Sequence, residues 1–206
     1  MWNEDGGRRS MSMGAIIAIG IVVVLLISVF SIVGSGIGTY NRMVNLEEDV
    51  SLAQSNVQTM MQRRLELIPD LVETTKAAAA HEEKIFEDIA NARAALNSSF
   101  ETGDAQAMDE ANQQLTSAID AMMLVITESY PTISASEQYT SLMDQLEGSV
   151  NRISVARENY NTAVSKYNRV IRNFPGSILA EMFGFERIEP FEADEAANNT
   201  NMVDFS

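Results

Sequence analysis

The residues that could carry chemistry in this chain are one histidine, pairs of neighbouring carboxylates and two adjacent arginines. His81 is followed by Glu82 and Glu83, which supply the atom types of a metal site. The zinc-protease pattern His-Glu-x-x-His fails because Ile85 stands where its second histidine belongs. A carboxylate-bridged di-metal bundle needs a histidine on each of two helices, and the chain has only one. We therefore predict no metal site.

Motifs of other enzyme classes are absent from the sequence as well. Without cysteine there is no thiol nucleophile, thiolate metal ligand or disulfide. No Gly-x-Ser-x-Gly elbow, phosphate loop or dinucleotide fingerprint occurs. The adjacent acids Glu47 and Glu48 point in different directions on a helix, which indicates a solvated face rather than paired acid–base catalysis. We predict no catalytic residue, no cofactor and no enzymatic activity.

Two adjacent arginines just before a proline form the most informative charged cluster. Arg63 and Arg64 lie close in sequence to Pro69 and Asp70. A guanidinium offers a planar, forked set of N–H donors that matches a carboxylate, so these four residues are a candidate interaction site for an acidic partner. The alternative is pairing inside the protein, with carboxylates of the same or a neighbouring helix: Glu66, Asp70 or Glu73.

The element that must position these residues is an apolar stretch near the N-terminus. Residues 15–33 contain no charged residue, Asn, Gln or Pro, and fourteen of them are Ile, Val, Leu or Phe. As a helix they span roughly 28 Å, close to the ~30 Å hydrocarbon core of a bilayer. The apolar core exceeds the ~7–15 residues of a signal peptide, which favours an uncleaved anchor. We predict a transmembrane helix with a Gly-rich collar over residues 15–38, and the lipid bilayer as a partner.

Two glycines lie where this stretch ends. Gly34 and Gly38 form a small-xxx-small pair, a spacing that lets two membrane helices approach closely. They are candidate packing residues for a homo-oligomer. The alternative interpretation is a flexible collar between the membrane and the rest of the chain.

The distribution of positive charge around the stretch gives an orientation. Arg8 and Arg9 precede it, whereas Arg42 is the only basic residue in the twenty positions after Gly38. Because cytoplasmic flanks carry more Lys and Arg, we expect a cytoplasmic N-terminus and an extracytoplasmic domain, in a single-pass protein of the cell (inner) membrane. The net charge of −15 argues against nucleic acid as a partner and against spreading on anionic lipid.

The rest of the chain repeats apolar residues every three or four positions, which is typical of amphipathic helices. Pro69 interrupts the first stripe, and the second helix is expected over residues 69–100 with a break near residues 80 and 81. Asp104 is a candidate N-cap for the third helix. The fourth stripe runs from Tyr139 to Phe174. Within it, amides beside tyrosines predict structural hydrogen bonds: Asn159-Tyr160-Asn161 and Tyr167-Asn168.

Four such helices bury their apolar faces most simply in an antiparallel up-and-down bundle, so the predicted fold is all-α. Around it we predict a polar N-terminal stub (1–14), the membrane helix and collar (15–38), the four-helix bundle (39–175), an apolar docking segment (176–192) and a disordered acidic tail (193–206).

Short motifs between residues 40 and 191 also form a characteristic series. They are Tyr40–Val44, Arg63–Glu73, His81-Glu82, Ala92-Arg93, Tyr130-Pro131, Leu146-Glu147, Asn151–Ile153, Ala156–Asn161, Tyr167-Asn168, Phe174-Pro175 and Phe183–Phe185. In this order and spacing the series resembles the LemA family of bacterial membrane proteins. The resemblance implies one N-terminal transmembrane helix, a helical bundle and no established catalytic reaction. Since members include magnetosome-associated proteins, it also implies a membrane-organising role.

These observations predict a single-pass, membrane-anchored helical-bundle protein of the LemA type. Its expected role is that of a non-enzymatic scaffold or adaptor that self-associates or organises another membrane protein. The alternative is a regulator or accessory subunit of a membrane protease or envelope quality-control system, in which Arg63 and Arg64 meet an acidic partner.

Overall fold

A computed structural model describes residues 13–79 and 81–191, and all regular structure in this part of the chain is helical. Its helices are α1 (Met13–Glu66), α2 (Ile68–Thr74), α3 (Lys76–Ala79), α4 (Glu83–Thr102), α5 (Ala105–Ser129), α6 (Pro131–Ser134), α7 (Glu137–Arg172) and α8 (Gly176–Phe183). The predicted all-α class is confirmed. The predicted acidic tail at 193–206, and residues 1–12 of the predicted stub, lie outside the described residues.

The longest element, α1, carries the apolar stretch and continues into the helical domain. It comprises 54 residues, about 80 Å at a rise of 1.5 Å per residue. An 18-residue window within it has a mean hydropathy of 2.5 and none of it is buried, so the helix is long and apolar enough to cross a bilayer. The glycines of the predicted collar are helical too, so residues 34–38 are no separate loop. We call residues 15–38 of α1 the apolar span.

α1 ends just before the proline that interrupts the first stripe. Pro69 lies in the first turn of α2, where its missing N–H costs no helical hydrogen bond. The predicted second helix over residues 69–100 is divided into α2, α3 and α4. Between α3 and α4 the chain turns at His81 and Glu82, beside the position of the predicted break.

A tight turn connects α4 to α5. Gly103 has a φ of 67°, a left-handed conformation that glycine adopts without steric cost. The Asp104 carboxylate accepts hydrogen bonds from the backbone N–H groups of Gln106 at 2.9 Å and Ala107 at 3.3 Å, so its predicted N-cap role is confirmed. The side-chain amide of Gln54 on α1 donates to the Gly103 carbonyl and ties this turn to the first helix.

The domain is held together by long helix–helix contacts. α1 packs mainly along α7, α4 packs along α5, and α2 also contacts α7. The buried apolar residues of α7 recur at helical spacing: Tyr139, Leu142, Leu146, Ile153, Ala156, Tyr160, Val164, Tyr167 and Ile171. Phe174, the last residue of the predicted stripe, is instead 81 % exposed, because the helix ends at Arg172 and the periodicity no longer orients the side chain.

After α7 the chain folds back so that α8 packs against α1 and α7. Gly176 and Ala180 are the buried positions of α8. A Cβ at Gly176 would overlap the Val170 carbonyl oxygen and lie 2.9 Å from Cε of Met43, so only glycine fits there. α8 ends at Gly184, whose φ of 77° is again left-handed. Residues 184–191, which we call the C-terminal strap, then follow α7.

Gly176→Ala should lower the free energy of unfolding by about 1–3 kcal/mol, because the added methyl group meets backbone that cannot give way. The matched control is Gly148→Ala in α7, where the new Cβ meets only the Arg152 side chain at 3.6 Å. That change should raise stability by about 0.5–1 kcal/mol through reduced chain entropy. Urea unfolding followed by circular dichroism measures both. Equal effects of the two substitutions would contradict the close approach at Gly176.

Candidate interaction site

Arg64 lies inside the domain, with only 2 % of the residue exposed. Its Nη1 donates to Oδ1 of Asn112 at 2.8 Å and to Oγ1 of Thr116 at 2.9 Å. The two acceptors are four residues apart on α5 and therefore lie on one face of that helix. The arginine thus joins the end of α1 to the middle of α5.

Burial makes the charge of this arginine costly. It lowers the pKa of the guanidinium from its ordinary value to about 10, and the Asp120 carboxylate opposes part of that change. Among the described residues Nε has no hydrogen-bond partner. Since the pKa stays well above 7, α5 holds a buried cation with neutral acceptors.

This placement corrects the interpretation of the arginine pair as one surface. Arg63, Pro69 and Asp70 are exposed, whereas Arg64 is buried. The two arginines therefore cannot jointly bind an acidic partner. The predicted internal alternative also differs from the structure, since the hydrogen-bond partners of Arg64 are an amide and a hydroxyl group rather than the expected carboxylates. The protease-regulator hypothesis, which relied on presenting the pair, has no support in this geometry.

A second buried charged group ties α5 to α7. Nη2 of Arg157 lies 2.9 Å from each carboxylate oxygen of Asp109, and these side chains are only 11 % and 6 % exposed. Gln113 donates to the same carboxylate at 3.2 Å. The guanidinium also lies 5.4 Å from the centre of the Phe191 ring, within cation–π range. This ion pair was missed from the sequence. Its one local signal is that Asp109 falls on the buried face of α5.

Two asparagines of α7 hold the C-terminal strap through its backbone. Oδ1 of Asn161 accepts from the N–H of Phe191 at 2.8 Å, and its Nδ2 donates to the carbonyl of the same residue at 3.0 Å. Asn168 makes the same two bonds with Ile188, at 3.1 Å and 2.7 Å. Being seven residues apart, both amides lie on one face of the helix. Each one satisfies a donor and an acceptor that the strap would otherwise leave to solvent.

The tyrosine before each of these asparagines adds a further contact to the strap. The Tyr160 hydroxyl donates to the carbonyl of Glu189 at 3.2 Å, and that of Tyr167 donates to the carbonyl of Glu186 at 2.9 Å. Burial raises the pKa of both phenols, and nearby carboxylates raise it further, so both stay neutral donors. The structural hydrogen-bond role predicted for Asn161 and Asn168 beside these tyrosines is confirmed.

Between α1, α5 and the strap lies a groove of about 850 Å³. Its lining includes five carboxylate residues: Glu47, Asp104, Asp109, Glu110 and Glu189. Such a wall repels anionic ligands. Among the described residues, no group of three or more His, Asp or Glu side chains is placed to hold a metal ion.

The glycine pair lies on an open face of α1. A Cβ at Gly34 or Gly38 would meet nothing within 4 Å among the described residues. Their spacing of four places both on one side of the helix, and Gly36 lies on the other side. Packing of this face against a second copy stays a prediction.

Comparisons with known proteins agree on one family. The model of the LemA family matches residues 53–205. Magnetosome proteins MamQ 2 and MamQ 1 of Paramagnetospirillum magneticum (strain ATCC 700264 / AMB-1) are each 30 % identical over 206 residues, covering 89 % of this chain and 75 % of the relative. Magnetosome protein MamQ of Magnetospirillum gryphiswaldense (strain DSM 6361 / JCM 21280 / NBRC 15271 / MSR-1) is 29 % identical over 210 residues, covering 88 % and 75 %.

Arg64→Ala should lower the free energy of unfolding by about 2–4 kcal/mol, because it leaves a cavity and removes the donor to two acceptors on α5. Its control is the neighbouring exposed residue: Arg63→Ala should change stability by no more than about 0.5 kcal/mol. Thermal or urea unfolding of the two variants makes the comparison. Similar losses in both would show that Arg64 does not have the internal role assigned to it.

Replacing both asparagines that hold the strap, Asn161→Ala with Asn168→Ala, should release it from α7. Each residue contributes two hydrogen bonds, so we expect the amides of Ile188 and Phe191 to exchange about ten-fold faster or more. Asn159→Ala, an exposed residue of the same helix, should leave exchange in the strap unchanged. Hydrogen-exchange mass spectrometry resolves this segment. Unchanged protection of the strap in the double variant would refute the role of the two asparagines in holding it.

Proposed function

This chain belongs to the LemA family, and from that membership we propose that it is a non-enzymatic scaffold that self-associates and organises partners on a membrane. It is a membrane-associated helical protein with one candidate membrane helix among its described residues. The observation that carries the proposal is the continuity of α1, which joins the apolar span directly to the domain. A domain fixed in this way stands at a defined height above the membrane, as a scaffold requires.

The use of the buried polar groups supports a structural rather than a catalytic role. Arg64 is engaged by α5, Arg157 and Asp109 bind each other, and Asn161 and Asn168 bind the strap. Catalytic groups are usually left free to meet a substrate and have a pKa tuned towards the working pH. Here the strongest polar contacts join helices to one another instead.

We propose an antiparallel four-helix bundle as the architecture of the domain. The first helix of this bundle is α1, and the second is the segment that comprises α2, α3 and α4. The third helix is α5, and the fourth is α7. The contacts of α1 with α7 and of α4 with α5 support this arrangement, as does the contact of α2 with α7. An even number of antiparallel helices returns the chain towards the end of the domain nearest the apolar span, where α8 packs on α1.

We further propose that the protein is a single-pass protein of the cell (inner) membrane, with its N-terminus in the cytoplasm and its domain outside. The support is the positive charge of Arg8 and Arg9 before the span. Its relatives are magnetosome proteins. For this chain we propose a role in arranging proteins on a membrane surface.

Self-association through Gly34 and Gly38 is the part of the proposal that is most readily tested. Native mass spectrometry from mild detergent should show dimers or larger assemblies of the wild-type chain. The variant Gly34→Leu with Gly38→Leu should be monomeric, because two leucines prevent the close approach that small residues allow.

The matched control is Gly36→Leu, which adds the same bulk on the opposite side of α1. It should assemble like the wild type. A wild-type chain that is monomeric throughout would refute self-association, and equal disruption by Gly36→Leu would refute this glycine face as its site.

A further inference from the structure

The end of the domain nearest the apolar span has a helix whose burial pattern is reversed. In α8 the small residues Gly176 and Ala180 face the core. Of its four large apolar residues, Leu179 is partly buried against the core, whereas Ile178, Met182 and Phe183 are 53 %, 70 % and 56 % exposed. A helix packed on a water-soluble domain buries its large side chains and exposes its polar ones. This helix turns three of its four large apolar side chains outwards.

Phe174 is a further exposed apolar side chain close in sequence to this group. It lies in the turn two residues before α8 and is 81 % exposed. We call Phe174, Ile178, Met182 and Phe183 the apolar patch. Contiguous exposed apolar groups of this kind mark a surface that another apolar phase covers.

The patch lies at the level where the apolar span ends. The ring of Tyr40 packs against that of Phe183, with centroids 4.8 Å apart, and against Phe185 at 5.7 Å. Tyr40 is three residues beyond Ile37, which is 58 % exposed on the same helix. Three residues correspond to about 4.5 Å along the axis, so Phe183 meets α1 within one helical turn of the exposed apolar surface of the span. Aromatic side chains are typical of this boundary between hydrocarbon and headgroups.

Three arginines lie at the same end, as does the exposed Glu181 of α8, although the whole chain has a net charge of −15. Arg169, Arg172 and Arg187 line one groove of about 500 Å³ at the end of α7. All three are exposed, and no described carboxylate forms an ion pair with Arg169 or Arg172. Arg187 has only a long contact of 3.7 Å with the exposed Glu189. Guanidinium groups in this position suit the phosphates of anionic phospholipids.

We propose that this end of the domain rests on the bilayer surface, with the apolar patch at the boundary between acyl chains and headgroups. Arg169 and Arg172 bind the phosphates of anionic phospholipids beside it. The net negative charge of the chain disfavours contact with anionic lipid only where the acidic residues lie near the membrane. Electrostatic attraction to a membrane decays within a Debye length, so it depends on the charges nearest to the surface. The proposal rests on the insertion of the span and is independent of self-association.

Depth-dependent fluorescence quenching tests this contact in the full chain. The sequence has one tryptophan, Trp2, so Trp2→Phe gives a background into which single reporters are placed. Ile178→Trp reports on the patch, Val33→Trp on the span, and Leu124→Trp on an exposed site of α5. Each variant is reconstituted into vesicles of phosphatidylcholine and phosphatidylglycerol with bromine at known acyl positions.

The fluorescence of tryptophan at 178 should be quenched most strongly by bromine near the headgroups. Tryptophan at 33 should be quenched most strongly by bromine deeper in the bilayer, and tryptophan at 124 should not be quenched by bromine at either depth. Quenching at 33 without quenching at 178 would overturn the proposal while leaving the anchor in place. A blue-shifted emission of tryptophan at 178 without quenching would also overturn the proposal. The side chain would then lie in an apolar environment away from lipid, because a second protein surface covers the patch.

The arginines are tested in the same assay with Arg169→Gln and Arg172→Gln combined. Each positive charge near an anionic surface is worth about a five-fold change in the docking equilibrium, so quenching at 178 should fall clearly. The exposed Arg152→Gln is the control and should have no effect. Quenching at 178 that is equal in purely phosphatidylcholine vesicles, and insensitive to the double variant, would refute the phosphate contacts.

Discussion

The continuity of α1 is the constraint on which the rest of this structure depends. A helix advances 1.5 Å per residue, so each residue that packs on α1 has a fixed height relative to the apolar span. Met43, which contacts Gly176 at the start of α8, stands six residues or about 9 Å beyond Ile37. The proposed contact with the lipid interface at that height explains why apolar side chains of α8 face outwards, because they then meet lipid rather than water.

Directional polar contacts supplement the apolar core of the domain. Apolar stripes of Leu, Ile, Val and Met pack in several registers at similar cost, whereas a buried charge must meet its own partners. Arg64 aligns the end of α1 with α5, and the Asp109–Arg157 pair aligns α5 with α7. The amides of Asn161 and Asn168 then fix the strap on the last helix. We infer that these contacts select one register of the helices. The selection costs desolvation free energy, as the lowered pKa of the buried Arg64 indicates.

Local and periodic features of this protein were predictable from its sequence, and features that depend on distant partners were not. The apolar span, the N-cap at Asp104 and most of the α7 stripe follow from neighbouring residues. Arg64 finds its acceptor Asn112 forty-eight positions away, which no local pattern specifies. The apolar periodicity predicts a buried Phe174, but α7 ends at Arg172 and the side chain is exposed. The strap is held by its backbone, and the sequence marks only the asparagines that hold it.

A distance across the junction of span and domain tests the central claim most directly. The chain has no cysteine, so Ser35→Cys with Thr59→Cys allows a spin-label pair at two exposed positions of α1. In bilayers, with excess unlabelled protein to suppress distances between copies, pulsed electron paramagnetic resonance should give a narrow distribution near 36 Å, the length of twenty-four helical residues. A broad distribution, or a mean well below that length, would contradict the account, because the span and the domain would then be joined by a hinge.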